Sequence, residues 1–541
     1  MMSNSSSNTQ NQIGSSAEQN SQADISQEAY SEARLESMKL STSLTVNIEM
    51  LKKIAGANAD LVSRSFTLGK TEVISAVIFY FDNLIDSEHI DSNIMQSLLT
   101  DPYGIGLNTG ADIVKELSLG NLITRAQIKK SNNMKELMDG ILVGEAVLLI
   151  EGIDQVYIIS AKGYEHRTVA ESDVEPIVRG PRDAFIEVLS TNLGLIRRRI
   201  HSPNLVFESL KVGRVTQTIV CIGYIRGICS PKLVDEVRLR ISRIDINGVL
   251  GSTYIEELIN DAPLSLFPKV RNTERPDAAS SALLEGRIVI IVDNTPVALI
   301  IPGEFFSLLQ SSEDHYNEYI FSTLIRFLRY ISYAIGLTLP SFYIAIANFH
   351  QDLVPTKLLV SIISARTGVP LPNFVEAILM EATFEILREA GLRLPRPLGQ
   401  AVSIVGALVI GQSAVQASLV SPLMVIVVSL TGIAIFTIPQ YNIAHPVRIL
   451  RFPLMIVSSI LGLYGLMLGL LFLLIHLCSV RSFGTPYLTP LAPFKARDLK
   501  DTVVRAPLWS FNGRPRSTIE NNKPMSSGEM PRPPKDGRNN P

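Results

Sequence analysis

Between Arg396 and Arg448 the chain contains no Asp, Glu, Lys or Arg. A run of about 50 residues without charge supplies two bilayer crossings of about 20 residues each at 1.5 Å per residue. Val420-Ser421-Pro422 is its natural break. Two more apolar runs flank it. Tyr330–Ala347 follows Arg326 and Arg329, and Pro340 inside it predicts a kink and a candidate hinge. Phe452–Leu477 is bounded by Arg448, Arg451 and Arg481. At least four spans are therefore expected within residues 320–480. Composition agrees: 18% of residues are charged and mean hydropathy is +0.24, whereas soluble chains carry about 25% charge.

Residues 355–391 interrupt this pattern. Thr356–Ala365 and Phe374–Leu387 read as amphipathic helices, the second carrying Glu376, Glu381, Glu385, Arg388 and Glu389. So charged a helix does not cross lipid unpaired. It lies at the interface, or it re-enters within a protein-lined vestibule. Glu381, Glu385 and Arg388 share a face. That face is either a charged ring at a cation vestibule or an exposed surface with ordinary one-turn ion pairs.

Ahead of the apolar region the chain reads as a bipartite α/β head, with subdomains over residues 41–173 and 174–305. Val73–Phe81, Glu145–Ile150 and Gln155–Ile159 read as strands of the first, the last two as a hairpin across Glu151–Asp154. Ser87–Leu99 and Asn133–Leu142 read as its helices. In the second, Arg182–Ile200 shows Phe185, Val188, Leu189, Leu193 and Ile196 on one helical face. Leu205–Val212 and Thr218–Ile225 are strand-like, Lys232–Ile244 is an amphipathic helix, and Arg287–Val292 with Val297–Ile301 forms a second hairpin. Residues 1–40 and the tail 481–541, from about 512 onward, are polar or Pro-rich and are expected to be disordered there. Met1–Gln27 has no apolar segment of the signal-peptide kind, which favours a cytoplasmic head with both termini on that side.

Catalytic patterns are missing: there is no GxSxG, HExxH or Walker A motif. The seven histidines show no metal-ligand spacing, and Cys221, Cys229 and Cys478 form no CxxC. No enzyme activity, cofactor or metal is expected. A net charge of −2 argues against nucleic-acid binding.

Ala401–Leu419 carries two stripes. Ser403, Ala407, Gly411, Ala414 and Ser418, joined by Gly406, form a small-residue surface that lets helices approach closely. Val402, Val405, Val409, Gln412 and Gln416 combine an apolar half with a polar, uncharged half. A pore gated by dewetting needs that pairing, whereas on periodicity alone packing of both stripes against neighbouring helices is the simpler account.

Val178-Arg179-Gly180-Pro181-Arg182-Asp183-Ala184-Phe185 resembles the RGPR motif of GerA-type A subunits of spore germinant receptors. Further segments resemble that family in order: Val270-Arg271 with Glu274-Arg275-Pro276-Asp277, where Lys269 stands in place of an arginine, then Leu284–Arg287, Phe384–Gly391, Leu394–Pro397 and Val402–Gln412. The resemblance covers residues from about Lys39 to Leu499. It implies an inner-membrane protein of dormant endospores, assembled with a permease-like B subunit that binds nutrient and with a C lipoprotein. It also implies a homo-oligomeric ring that conducts cations, with Val402, Val405 and Val409 at the constriction. A non-conducting scaffold and a secondary nutrient transporter are the competing readings. In the head, Arg179, Arg182 and Arg197–Arg199 either bind an anion or an acidic partner or make salt bridges between subdomains or neighbouring subunits, and the Arg179-Gly180-Pro181-Arg182 element is read as shaping a joint rather than a catalytic centre.

Overall fold

Runs of β-branched and aromatic residues become two five-stranded sheets in the N-terminal part of the chain. The computed structural model describes residues 29–100, 107–119, 127–161, 163, 175–393, 411–496 and 498–510. It divides into two units: one holds the residues up to Asn260 with Asn272–Pro302, the other Asp261–Arg271 with Gly303–Ser510.

In the first unit, β1 (Leu61–Leu68), β2 (Ile74–Phe81), β3 (Ile128–Ser131), β4 (Glu145–Ile150) and β5 (Val156–Ser160) are arranged in the order β1-β2-β4-β5-β3. The second sheet holds β6 (Leu205–Val212), β7 (Thr218–Ile225), β8 (Arg271–Thr273), β9 (Ile288–Val292) and β10 (Ala298–Ile301) in the order β6-β7-β9-β10-β8. The two orders are the same topology used twice, each with a central antiparallel hairpin. Alternation sets the packing. Val77, Phe79 and Phe81 of β2 point to one apolar cluster, and Ala76, Ile78 and Tyr80 to another on the opposite face.

Helices cover the sheets: α1 (Glu32–Ser37), α2 (Leu44–Ala55), α3 (Met134–Leu142), α4 (Leu189–Arg197), α5 (Pro231–Ser242) and α6 (Pro276–Leu284). The polar tail expected over residues 1–40 meets the fold at Tyr30, since Tyr30, Leu35 and Leu40 join the core and Ser31 caps α1. Residues 1–28 and 511–541, read as disordered from sequence, lie outside the described residues. The helix expected over Arg182–Ile200 is shorter than its pattern. It begins at Leu189, because the Phe185 amide is donated to the Glu274 carbonyl at 2.7 Å in an extended segment. The Ser87–Leu99 helix forms with a π-helical turn at Ile90–Met95.

Arg197 of α4 joins the two subdomains. Its Nη2 donates to Asp60 Oδ1 and Asn58 Oδ1, each at 2.8 Å, and its guanidinium lies 3.9 Å from the Phe81 ring centroid. Asn58 in turn accepts from the Phe207 amide of β6 at 2.8 Å. Arg199 pairs locally with Asp183.

The second unit is helical: α7 (Tyr319–Phe349), α8 (Thr356–Arg366), α9 (Asn373–Arg393), α10 (Gly411–Gln416), α11 (Pro422–Phe436) and α12 (Tyr441–Ser479). Two helices among the described residues are long and apolar enough to cross a membrane, Tyr319–Phe349 and Tyr441–Ser479. Pro340 lies buried inside α7, which is assigned as one helix. The expected break at Val420-Ser421-Pro422 separates α10 from α11, with Ser421 accepting from the Met424 amide as N-cap and Pro422 in the first turn.

The span expected over Phe452–Leu477 takes a different form. Its helix starts eleven residues earlier, at Tyr441, and Arg448 and Arg451 lie inside it rather than at its edge. It also folds back at Gly462, where φ is 61° and ψ is −144°. A Cβ on Gly469 would sit 2.5 Å from Leu454 Cδ2, and one on Gly465 2.6 Å from the Val457 carbonyl oxygen, so the two halves lie against each other. The turn meets the C-terminal end of α7, since a Cβ on Gly462 would be 3.0 Å from Phe349 Cβ. Only glycine adopts this backbone at no steric cost.

After α12 the chain returns to the beginning of α7. The Phe305 amide donates to the Tyr487 carbonyl at 2.9 Å, and Tyr330 Oη to the Thr502 carbonyl at 2.6 Å. Arg326 and Arg329 are buried there on Asp314, at 3.2 and 2.7 Å, and Arg326 also reaches Asp501 at 3.1 Å.

Candidate functional site

The helical unit holds a charged cluster in an otherwise apolar setting. Asn373–Arg393 places Glu381 and Glu385 one turn apart on α9, and Tyr441–Ser479 places Arg448 and Arg451 one turn apart on α12. The two pairs interlock. Arg451 Nη1 lies 2.8 Å from Glu381 Oε2, and both side chains are fully buried. Arg451 Nη2 donates to Glu385 Oε1 at 2.6 Å, and Arg448 Nε donates to the same oxygen at 3.1 Å. Arg388 adds a third guanidinium, 3.5 Å from Glu385 Oε2. Two carboxylates thus meet three guanidiniums, so that buried charges of opposite sign face one another.

Close packing brings these helices together. A Cβ on Gly432 of α11 would lie 2.4 Å from Phe384 Cζ, so the glycine makes room for the α9 ring. One turn before Glu381, Ala377 is fully buried. At the start of α9, Glu376 is also fully buried. It accepts from the Ser421 amide at 2.5 Å and from the Ser421 hydroxyl, so a carboxylate sits at the N-terminus of α11, where the helix dipole favours it. Arg366 of α8 lies 3.8 Å from its other oxygen. Asn373 and Asn348 close the same end at 2.5 Å.

The structure brings Glu381, Glu385 and Arg388 together as the sequence places them, and turns the two glutamates toward α12. Arg448 and Arg451 are the residues that the sequence reading leaves out of the site. Their signal is the matched spacing: two arginines three apart on an apolar helix and two glutamates four apart on a charged one.

The uncharged segment Ala401–Leu419 is described only from Gly411 onward. Val402, Ser403, Val405, Gly406, Ala407 and Val409 lie outside the described residues. Gln412 and Gln416 are exposed on α10, Gly411 and Ala414 are half-buried, and Ser418 ends the segment, exposed, with φ 52°.

In the head, the segments Arg179–Arg182 and Glu274–Asp277 are in contact. Arg275 Nη2 donates to the Pro181 carbonyl at 2.9 Å and pairs with Asp277 at 2.7 Å. Gly180 takes φ 133°, and Arg179 and Arg182 are exposed on either side of it. Arg287 donates to the Pro302 carbonyl at 2.8 Å. These arginines pin loops to one another.

Residues 49–517 match the family described as Bacillus/Clostridium GerA spore germination protein. The chain is 43% identical over 495 residues to spore germination protein KA of Bacillus subtilis (strain 168), covering 91% of this chain and 90% of that one. It is 42% identical to the uncharacterized membrane protein YfkQ of the same organism, covering 93% and 96%. Spore germination protein B1, also of B. subtilis, is 38% identical, covering 90% and 99%. Among solved structures, the N-terminal domain of the A subunit of the Bacillus megaterium spore germinant receptor GerK3 is 35% identical, with a TM-score of 0.39, and covers 50% of this chain and 98% of its own.

Proposed function

The chain belongs to the Bacillus/Clostridium GerA spore germination family, and we propose that it serves as the A subunit of a nutrient germinant receptor, oligomerising into a cation channel that opens when a partner binds nutrient. The partners are a permease-like B subunit and a C lipoprotein, and the setting is the spore inner membrane. Both termini face the cytoplasm. The return of residues 481–510 to the start of α7 supports placing the two ends of the helical unit on one side. The protein is not an enzyme and binds no nucleic acid.

The observation that carries this reading is the uncharged run between Arg396 and Arg448. A bundle that buries charged residues in matched clusters on α9 and α12, yet leaves one stretch of about 50 residues bare of charge, sets that stretch apart for lipid or a pore. Four or more spans cross the membrane, and α9 re-enters or crosses with its charges paired. In the closed ring Val402, Val405 and Val409 exclude water. Partner binding favours an arrangement in which Gln412 and Gln416 reach the axis and the pore wets. Pro340 serves as the hinge of α7, and the small residues from Ser403 to Ser418 supply displaceable packing.

The test is monovalent-cation leakage from non-sporulating cells that express the chain with its cognate partners. Val405→Ala is expected to raise leakage, wild type to leak on nutrient addition, and Gly406→Leu to block assembly. If neither wild type nor Val405→Ala leaks while the complex is intact in the membrane, the chain is a scaffold and the pore belongs to another subunit.

A further inference from the structure

The chain between Asp261 and Arg271 is a tightly held loop with a bare apolar tip. Ser265 Oγ lies 2.9 Å from His476 Nε2 in the last turn of α12, and the Phe267 ring packs beside that imidazole and beside Tyr487. Lys269 Nζ donates to the Ala262 carbonyl across the base of the loop, and the Lys269 carbonyl accepts from Ser482 Oγ at 2.7 Å and from the Gly303 amide at 2.9 Å. Asp261 accepts from the Phe483 amide. Among these anchored residues Leu264 is 97% exposed and Leu266 is exposed with it. Pro263 stands before the first leucine and Pro268 shortly after the second.

A flexible loop would fold its leucines back onto the apolar residues beside it. This one is fixed at both sides of its tip, so Leu264 and Leu266 are held outward. Their height is set by His476, at the end of the apolar helix. Phe472, one turn before it, is 70% exposed and Ile475 is exposed too, so the last turns of the helix carry uncovered apolar side chains beside the histidine that holds the loop. Arg481 follows just past the helix end and is also exposed. An apolar tip beside a helix end, with a cation just beyond, matches the boundary between acyl chains and headgroups.

We propose that the Asp261–Arg271 loop is a membrane-interface anchor, inserting Leu264 and Leu266 among the upper acyl carbons of the same leaflet in which α12 ends. The proposal rests on the reading that the half of α12 after the Gly462 turn crosses the bilayer. Its occupant is phospholipid, because the exposed surface that it continues is the lipid-facing side of that helix.

The chain has a single tryptophan, Trp509, which makes the test direct. The full-length protein carrying Trp509→Phe with Leu264→Trp, and a second carrying Trp509→Phe with Phe472→Trp, are reconstituted into phosphatidylcholine vesicles whose acyl chains are brominated at shallow or deep carbons. The tip probe is expected to emit blue-shifted and to be quenched at least twofold by shallow bromines and less by deep ones, with the Phe472→Trp probe quenched by both. A tip probe that is unquenched beside a quenched helix probe overturns the anchor and leaves the membrane reading standing. A blue-shifted, unquenched tip overturns it in favour of a protein contact. If neither probe is quenched, the membrane crossing of α12 falls along with the anchor.

Discussion

Glu381 and Arg451 are both withdrawn completely from solvent and face each other at 2.8 Å, one on α9 and the other on α12, seventy positions apart in the chain. A pair this buried fixes the register of two helices more than it stabilises them, since its Coulomb attraction is largely spent on desolvation.

Removing one partner is therefore far worse than removing both. Arg451→Met, which strands the Glu381 carboxylate, is expected to cost about 3–5 kcal/mol and to lower the thermal-unfolding midpoint of the detergent-solubilised protein. The double variant Glu381→Gln with Arg451→Met should recover most of the loss. If the double variant is as unstable as the sum of its single variants, the two groups are not coupled.

Arg197 poses the same question in the head, where it is buried against Asp60 and Asn58. Arg197→Met strands the Asp60 carboxylate and should cost about 3–5 kcal/mol. Amide exchange in the full-length protein should speed up first in β1 and β6, on either side of the joint. Arg214→Met, which breaks the exposed pair with Asp245, should change neither stability nor exchange. Equal effects from the two variants would remove the special role of the joint.

Asp501 gives the helical unit an acid-sensitive contact. Burial pushes its carboxyl upward, but the hydrogen bond with His315 and the Arg326 guanidinium outweigh that and hold it below the ordinary 3.8. The folded pKa is depressed, so the contribution is present above the unfolded value and disappears as pH falls through the folded one. Asp501→Asn should destabilise the protein at pH 6 and make progressively less difference as pH falls below 3.8. A penalty that persists undiminished in acid would rule out the ionised contact.

The head cysteines should be silent. Burial pushes the thiols of Cys221 and Cys229 up to about 12, which leaves only about one molecule in 10,000 as thiolate at pH 8. Maleimide should modify exposed Cys478 alone in detergent, and all three cysteines after denaturation. Rapid labelling at Cys221 in the folded protein would show that β7 is open.

The sequence foretells the head best where local and tertiary preferences agree. Leu205–Val212 and Thr218–Ile225 are strands over the residues that their β-branched runs mark. Edge strand β1 escapes notice because Ser63, Arg64 and Ser65 are exposed, and an edge strand needs few apolar positions. The helix pattern through Phe185 and Val188 runs too far because the Glu274 carbonyl, 89 positions away, claims the backbone first. In the helical unit, charges ordinarily mark the end of a span. Arg448 and Arg451 depart from that rule only because Glu381 and Glu385 stand opposite, which no local window reveals. The turn at Gly462 is concealed among glycines that look alike in LGLYGLMLGLL. Of the candidate pore residues, Gln412 and Gln416 can be placed, on the exposed side of α10.

The fold-back at Gly462 settles a question of parity. Ser479 leads into a segment that packs against the start of α7, while the Gly462 turn meets α7's other end at Phe349. The polypeptide therefore enters and leaves the helical layer by the same face. The opposite face carries the end of α7 with α8 beyond it, the Ser421 cap with Glu376, and the Gly462 bend. A messenger arriving from that face would meet α8 and the ends of the long helices, and would have to speak through the helices themselves.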